Sequence, residues 1–170
     1  VTFWHLAEPD SLLFHNVFLG KGFYTTASVH AQIPGMEGIV TPYSVFHADK
    51  DKERYWEELR VKSFPQCVTR MKTLYAFTSQ TDAENSNIAW FGGGRQVISL
   101  ELAQGTVSIH DSRLLNGRTE DWANLALQYW SGAKSIDPLM EALLHGTLYF
   151  PGWEKPPFSF GVGFPKPPQS

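Results

Sequence analysis

Apolar and polar positions change period several times along this chain, and each change marks an element. From Val1 to Leu6 β-branched and aromatic residues predominate until Glu8-Pro9-Asp10 stops them, which predicts a strand ending at His5-Leu6. Ser11 is placed to cap a turn. Leu12 to Tyr24 mixes apolar residues with Gly20 and Gly22, fitting a short helix or strand and a loop. The stretch 33–41, broken by Pro34, Gly35 and Gly38, predicts no regular structure. Between His47 and Val61 charges surround Tyr55, Trp56 and Leu59 at helical spacing, so an amphipathic helix is expected there, ended by Pro65. Lys72 to Thr78 reads as a strand, and Ser79 to Asp82 as the start of a helix that continues through Ile88.

Gly92-Gly93-Gly94 breaks that helix. Gln96–Leu102 and Thr106–His110 then read as two strands of a hairpin across Ala103-Gln104-Gly105. Asp111 to Leu115 is expected as a strand end. Thr119-Glu120-Asp121 places acids in the first turn of a helix from Trp122 to Trp130, and Ser131-Gly132 stops it. Pro138–Leu144 is helical or strand-like, and Thr147–Phe150 is a closing strand. The Pro- and Gly-rich stretch 151–170 reads as an extension, packed on or trailing from a single domain over 1–150. These elements give an α+β class with a mostly antiparallel sheet and short flanking helices.

Composition narrows the function. The chain has 170 residues, enough for one core, with 42% hydrophobic, 14% aromatic and 18% charged residues, which excludes a disordered protein. A net charge of −3 supplies no footprint for nucleic acid or an anionic membrane. One cysteine, Cys67, excludes an internal disulfide. No signal-peptide pattern is present, and no apolar run approaches the roughly 18 residues of a membrane helix. A soluble protein is expected, cytoplasmic or delivered into a target cell as a secreted effector. The start at Val1 suggests a domain excised from something longer.

Several patterns carry no chemistry. Gly92-Gly93-Gly94-Arg95 lacks the spacing of a phosphate loop, and the six histidines form no zinc pattern, so no metal is expected. Cys67 reads as a packing residue. Four positions keep two meanings. His5 ends a strand, as a rim histidine or a ligand contact. Tyr75, in TLYAF, is a sheet aromatic or a stacking surface. Glu141 lies in the apolar run PLMEALLHG, where an unpaired buried carboxylate is costly, so it faces water or serves chemistry. Arg70 either pairs with an acid of the preceding helix or clamps an anion.

Taken together, TFWH, LYAFTSQTDA and MEALLHG resemble the three motifs of the ADP-ribosyltransferase superfamily of the diphtheria-toxin and poly-ADP-ribose-polymerase kind. They stand in the right order, with 70 and then 66 residues between His5, Tyr75 and Glu141. The chain is also similar to a bacterial uncharacterised family near that superfamily. The resemblance covers most of 1–150 and implies a split antiparallel sheet gripping NAD as substrate. It implies that His5 contacts the adenosine-side ribose, Tyr75 stacks on the nicotinamide, and Glu141 binds the nicotinamide-side ribose while positive charge develops. Arg70 and Thr78 would contact the phosphates or ribose. His15 with Tyr24 is a second pairing for the first two motifs, and Glu120 a second acid.

The implied activity is mono-ADP-ribosyl transfer by a bacterial toxin or effector domain. The acceptor is a macromolecule, protein in preference to nucleic acid, and an immunity or inhibitor protein is a further partner. Arginine as the acceptor residue is disfavoured, because Leu139 stands where such members carry a first glutamate. Water as acceptor would make an NAD glycohydrolase. A non-catalytic binding module on the same fold is the rival from another class, favoured by Trp90, Trp122, Trp130 and Trp153 if exposed, and by the Pro-rich end.

Overall fold

The computed structural model describes residues 1–8, 11–47 and 49–153. Its elements run β1 (Thr2–Ala7), α1 (Leu12–Leu19), β2 (Phe23–Thr25), α2 (Ala27–His30), a π-helical turn (Tyr43–His47), α3 (Lys50–Ser63), β3 (Leu74–Phe77), α4 (Gln80–Phe91), β4 (Gln96–Asp111), two 3-10 turns (Ser112–Leu115 and Thr119–Asp121), α5 (Trp122–Ser131) and β5 (Met140–Tyr149). The sheet order is β2-β5-β3-β1-β4. β4 also pairs with β5, so the pairing order closes on itself, as in a small barrel. β1 lies antiparallel to β3, with Trp4 opposite Phe77, and to β4, with His5 opposite Ile98. β2 lies antiparallel to β5, with Tyr24 opposite Leu148. The class is α+β with a mostly antiparallel sheet and short helices, as the periodicities suggest.

Local chemistry sets the helix ends. Ser11 caps α1 by accepting from the Leu13 amide at 3.1 Å, Asp49 caps α3 from Lys52 at 3.1 Å, and Ser79 caps α4 from Asp82 at 3.3 Å. Asp51 and Glu53 occupy the first turn of α3 and Arg60 and Lys62 its last, matching the helix dipole. The triple glycine is the stop of α4: Gly92 takes the left-handed conformation, φ 58°.

Two expectations are corrected. Ala103-Gln104-Gly105 is no hairpin turn, because β4 runs unbroken for 16 residues from Gln96 to Asp111. Gly105 sits within the strand at φ 139°, a value open to glycine, and the chain does not reverse there. The expected strand end at Asp111–Leu115 is instead a 3-10 turn over Ser112–Leu115, nucleated by Asp111 Oδ1 accepting from the Arg113 amide at 3.0 Å. The end of the chain from residue 154 lies outside the described residues. No described helix is long and apolar enough to cross a membrane.

The chain forms two compact units, passing between them at the end of β2 and within β3, β4 and β5. Among the described residues, unit 1 holds Val1–Thr25, Ala76–Gly105 and the chain from Gly146 to Trp153; unit 2 holds Thr26–Tyr75 and Thr106–His145. In unit 1, Phe3, Phe14, Val17, Leu100, Leu148 and Phe150 are buried, and Trp153 stacks on Phe14 with ring centres 4.7 Å apart. In unit 2 the core is Trp56, Val68, Leu114, Ala126, Tyr129, Trp130 and Leu143. Trp130 and Trp153 are therefore core residues, while Trp90 is 55% exposed, so the surface aromatics expected of a binding module are fewer than the sequence suggests.

Candidate functional site

Unit 2 surrounds one buried cation with acids and tyrosines. After α3 ends at Phe64-Pro65, the chain turns back and brings Arg70 beneath the first turn of the helix it has just left. Arg70 Nε lies 3.0 Å from Glu53 Oε2, and its Nη2 lies 3.2 Å from Glu53 Oε1. Its Nη1 donates to the Tyr129 hydroxyl at 2.7 Å and to Glu141 Oε1. Tyr43 donates to Glu53 Oε1 at 2.6 Å, and Tyr129 donates to Glu141 Oε1 at 2.6 Å. Tyr75 donates its hydroxyl to the Arg70 carbonyl. The guanidinium carbon stands 5.1 Å from the Tyr75 ring centre and 5.4 Å from that of Tyr129.

Burial makes this arrangement demanding. Arg70 is 3% exposed, Glu53 1% and Tyr129 0%, and each buried charge costs several kcal/mol unless paired and hydrogen-bonded. Burial opposes the charge on Arg70, yet Glu141, with Tyr129, Tyr75 and Glu53, holds its pKa well above the ordinary arginine value. Burial also pushes Tyr129 and Tyr75 well above the ordinary phenol range, against the pull of Arg70, and pushes Tyr43 up to about 12. All three phenols therefore stay protonated and available as donors at neutral pH.

Of the residues expected to form a site, Arg70, Tyr75 and Glu141 come together here. Arg70 takes the ion-pair alternative, with Glu53 of the preceding helix, and adds Glu141. The Tyr75 ring is flanked by Arg70 and by Tyr43, whose ring centre is 4.7 Å away. Glu141, the second residue of β5, keeps 12% of its side chain exposed, and among the described residues both hydrogen bonds to it fall on Oε1. His5 on β1 and Thr78 just after β3 belong to unit 1 and are both half-buried. His15 is exposed on α1, Tyr24 sits on β2, and Glu120 is an exposed acid 3.7 Å from Arg118. Cys67 is half-buried, 3.9 Å from the Trp130 carbonyl, and burial pushes its thiol pKa up, as suits a packing residue.

Glu53, Tyr43 and Tyr129 escaped the sequence. Glu53 had a usable signal: it lies three residues before Trp56, in register with the buried stripe of α3, where an acid needs a partner. Tyr129 has the same character beside Trp130, a phenol tip inside an apolar helix face. Tyr43 had none, following a stretch without period.

Unit 2 also carries an open groove of about 370 Å³ lined by Ser28, Gln32, Glu57, Arg60, Thr69 and Lys72, with Ala31 and Met71. Glu141 and Tyr75 do not line it.

Residues 22–150 match the family described as "Protein of unknown function (DUF2441)", and the chain belongs to that family. No curated protein matches the chain.

Proposed function

We propose that this protein is an NAD-consuming ADP-ribosyltransferase that cleaves the nicotinamide glycosidic bond and passes ADP-ribose to a macromolecular acceptor. The observation that carries the proposal is the Glu141 carboxylate. Tyr129 and Arg70 hold one of its oxygens, and the side chain keeps a small exposed face. A carboxylate fixed before the reaction stabilises an oxocarbenium-like transition state more than the neutral ground state, without reorganisation at the moment of bond breaking. The three motifs fall on β1, on β3 running into α4, and on the start of β5 of a mostly antiparallel sheet, so each begins on a strand as the proposal assumes.

Within this proposal two roles change. The guanidinium of Arg70 is spent on Glu53, Glu141, Tyr129 and Tyr43, and the Tyr75 ring packs against Arg70 and Tyr43. Arg70 therefore positions Glu141, and Tyr75 supports Arg70 through its hydroxyl on the Arg70 carbonyl and through its ring face. A net charge of −3 favours a protein acceptor over nucleic acid.

The test is nicotinamide release from NAD by the folded protein, with and without a cell lysate. Release that needs the lysate, with label from the adenylate half of NAD appearing on protein, is the expected result; equal release without it assigns the glycohydrolase. No NAD consumed in either case removes the proposal. Glu141→Gln should lower turnover per folded molecule by orders of magnitude.

Near-complete burial of Arg70 and Glu53 favours a second reading, in which the cluster is a structural keystone of a binding module. Under that reading Glu141→Gln changes stability alone.

A further inference from the structure

The groove of unit 2 has a serine on its wall that the proposed NAD chemistry does not use. Ser28 Oγ lies 2.8 Å from His145 Nδ1 and 2.9 Å from Thr26 Oγ1. Ser28 is 7% exposed and Thr26 1%, while His145, near the middle of β5, is half-buried. The Ser28 amide donates to the Lys72 carbonyl at 2.7 Å, which fixes the serine against the segment that supplies Lys72 to the groove. With Nδ1 as the acceptor, Ser28 donates to His145 and Thr26 donates to Ser28, so both buried hydroxyls are satisfied and the serine proton already points at a base.

Glu57, Arg60 and Thr69 hold one another in the groove. Glu57 receives both Nε and Nη2 of Arg60 at 2.9 and 2.7 Å and the Thr69 hydroxyl at 3.0 Å. Arg60 Nη1 donates to the Cys67 carbonyl at 2.8 Å. Glu57 and Arg60 pair with each other, and the remaining cation of the lining is Lys72, whose Nζ donates to the Glu37 carbonyl and has hydrogens left for an anion. The volume is that of a small-molecule site.

We propose that Ser28 and His145 form a nucleophile and base that hydrolyse a small ester carrying a carboxylate on its acyl part. Ser28 Oγ bonds to the acyl carbon while its proton passes to His145 Nδ1; the ester C–O bond breaks and the departing alkoxide takes that proton. Water then gives a proton to His145 and its oxygen to the acyl carbon, the carboxylic acid leaves, and the proton returns to Ser28. Ester and water give acid and alcohol, with nothing oxidised. Lys72 selects the anionic acyl group. The proposal is independent of NAD chemistry.

A fluorophosphonate probe tests it, with the adduct mapped by mass spectrometry on the folded chain. The expected result is one adduct, on Ser28, slowed about a hundredfold by His145→Gln, the scale of a lost general base. No adduct on Ser28 in the folded wild-type protein overturns the proposal without any variant, and so does an adduct whose rate ignores His145→Gln. For the substrate class, p-nitrophenyl hemisuccinate should be cleaved faster than p-nitrophenyl acetate, with the preference lost in Lys72→Met. Equal rates on the two esters overturn the assigned substrate.

Discussion

Tyr129 and Glu141 meet at 2.6 Å between the phenol oxygen and Oε1, joining α5 to the start of β5 inside the core of unit 2. The same phenol accepts from Arg70 Nη1 at 2.7 Å, so one hydroxyl orders both members of an ion pair. Tyr129→Phe keeps the ring and its stacking but removes that hydroxyl. A hydrogen bond to a buried charged group is worth about 1.5–3 kcal/mol, and a loss of that size is expected in the urea midpoint at unchanged slope. A change within a few tenths of a kcal/mol would show that the phenol is incidental.

Arg70 answers two carboxylates, so its removal has a larger cost. Arg70→Met leaves Glu53 and Glu141 buried without a cation, and breaking a buried pair in this way costs about 3–5 kcal/mol. Glu53→Gln and Glu141→Gln in the Arg70→Met background should each recover part of that loss, because each removes an uncompensated charge. Denaturant unfolding of the singles and combinations gives the coupling directly. Additive penalties would mean that the three groups do not act as a unit.

His110 reports the same region through pH. Its Nδ1 lies 2.8 Å from the Tyr129 carbonyl, its ring stacks on Tyr129 at 4.5 Å, and its Nε2 is buried without a partner among the described residues. Burial lowers its pKa to about 4, the nearby positive charge of Arg70 pulls the same way, and the Tyr129 carbonyl opposes. In the unfolded chain the imidazole titrates near its ordinary value of about 6.5. Between those two values the unfolded state binds the extra proton, so stability falls as pH drops from about 6.5 and levels off below about 4. The full effect is about 3 kcal/mol. His110→Phe should flatten that slope whatever it does to the midpoint at neutral pH, and an unchanged slope would assign the acid sensitivity elsewhere.

Local signals were legible where they are self-contained. Ser79 before an acid-bearing turn announces α4, and Pro65 announces the end of α3, because capping and ring sterics act within a few residues. Glu141 stood out for an energetic reason, an acid in an apolar strand, and the structure supplies the missing cation. Its partners were less visible. Arg70 offered two readings of equal chemistry, and the choice fell to Glu53, which depends on how the chain folds back after α3. Tyr43 sits in a π-helical turn after an aperiodic stretch, so no period pointed at it. The false hairpin at Ala103-Gln104-Gly105 has the same origin: a glycine between two strand-like runs permits a reversal or a bend, and a distant residue decides which.

That distant residue is Gly146, and it carries the last prediction. It sits in β5 at φ 142°, where an added Cβ would lie 2.0 Å from the Gln104 carbonyl oxygen and 2.7 Å from Gly105 Cα. Both are backbone atoms of β4, so no side-chain rotation relieves the clash; β4 or β5 must move, and β4 is extended here because β5 can approach it this closely. Gly146→Ala therefore combines backbone strain with loss of the approach, and a penalty of roughly 3 kcal/mol or more is expected. Gly132 provides the control, since at φ 80° it has the strain but nothing within 4 Å of a built Cβ. Gly132→Ala should cost about 1 kcal/mol. Thermal or urea unfolding of the two variants separates the terms, and equal losses would show that the close passage of β4 and β5 contributes nothing beyond the dihedral.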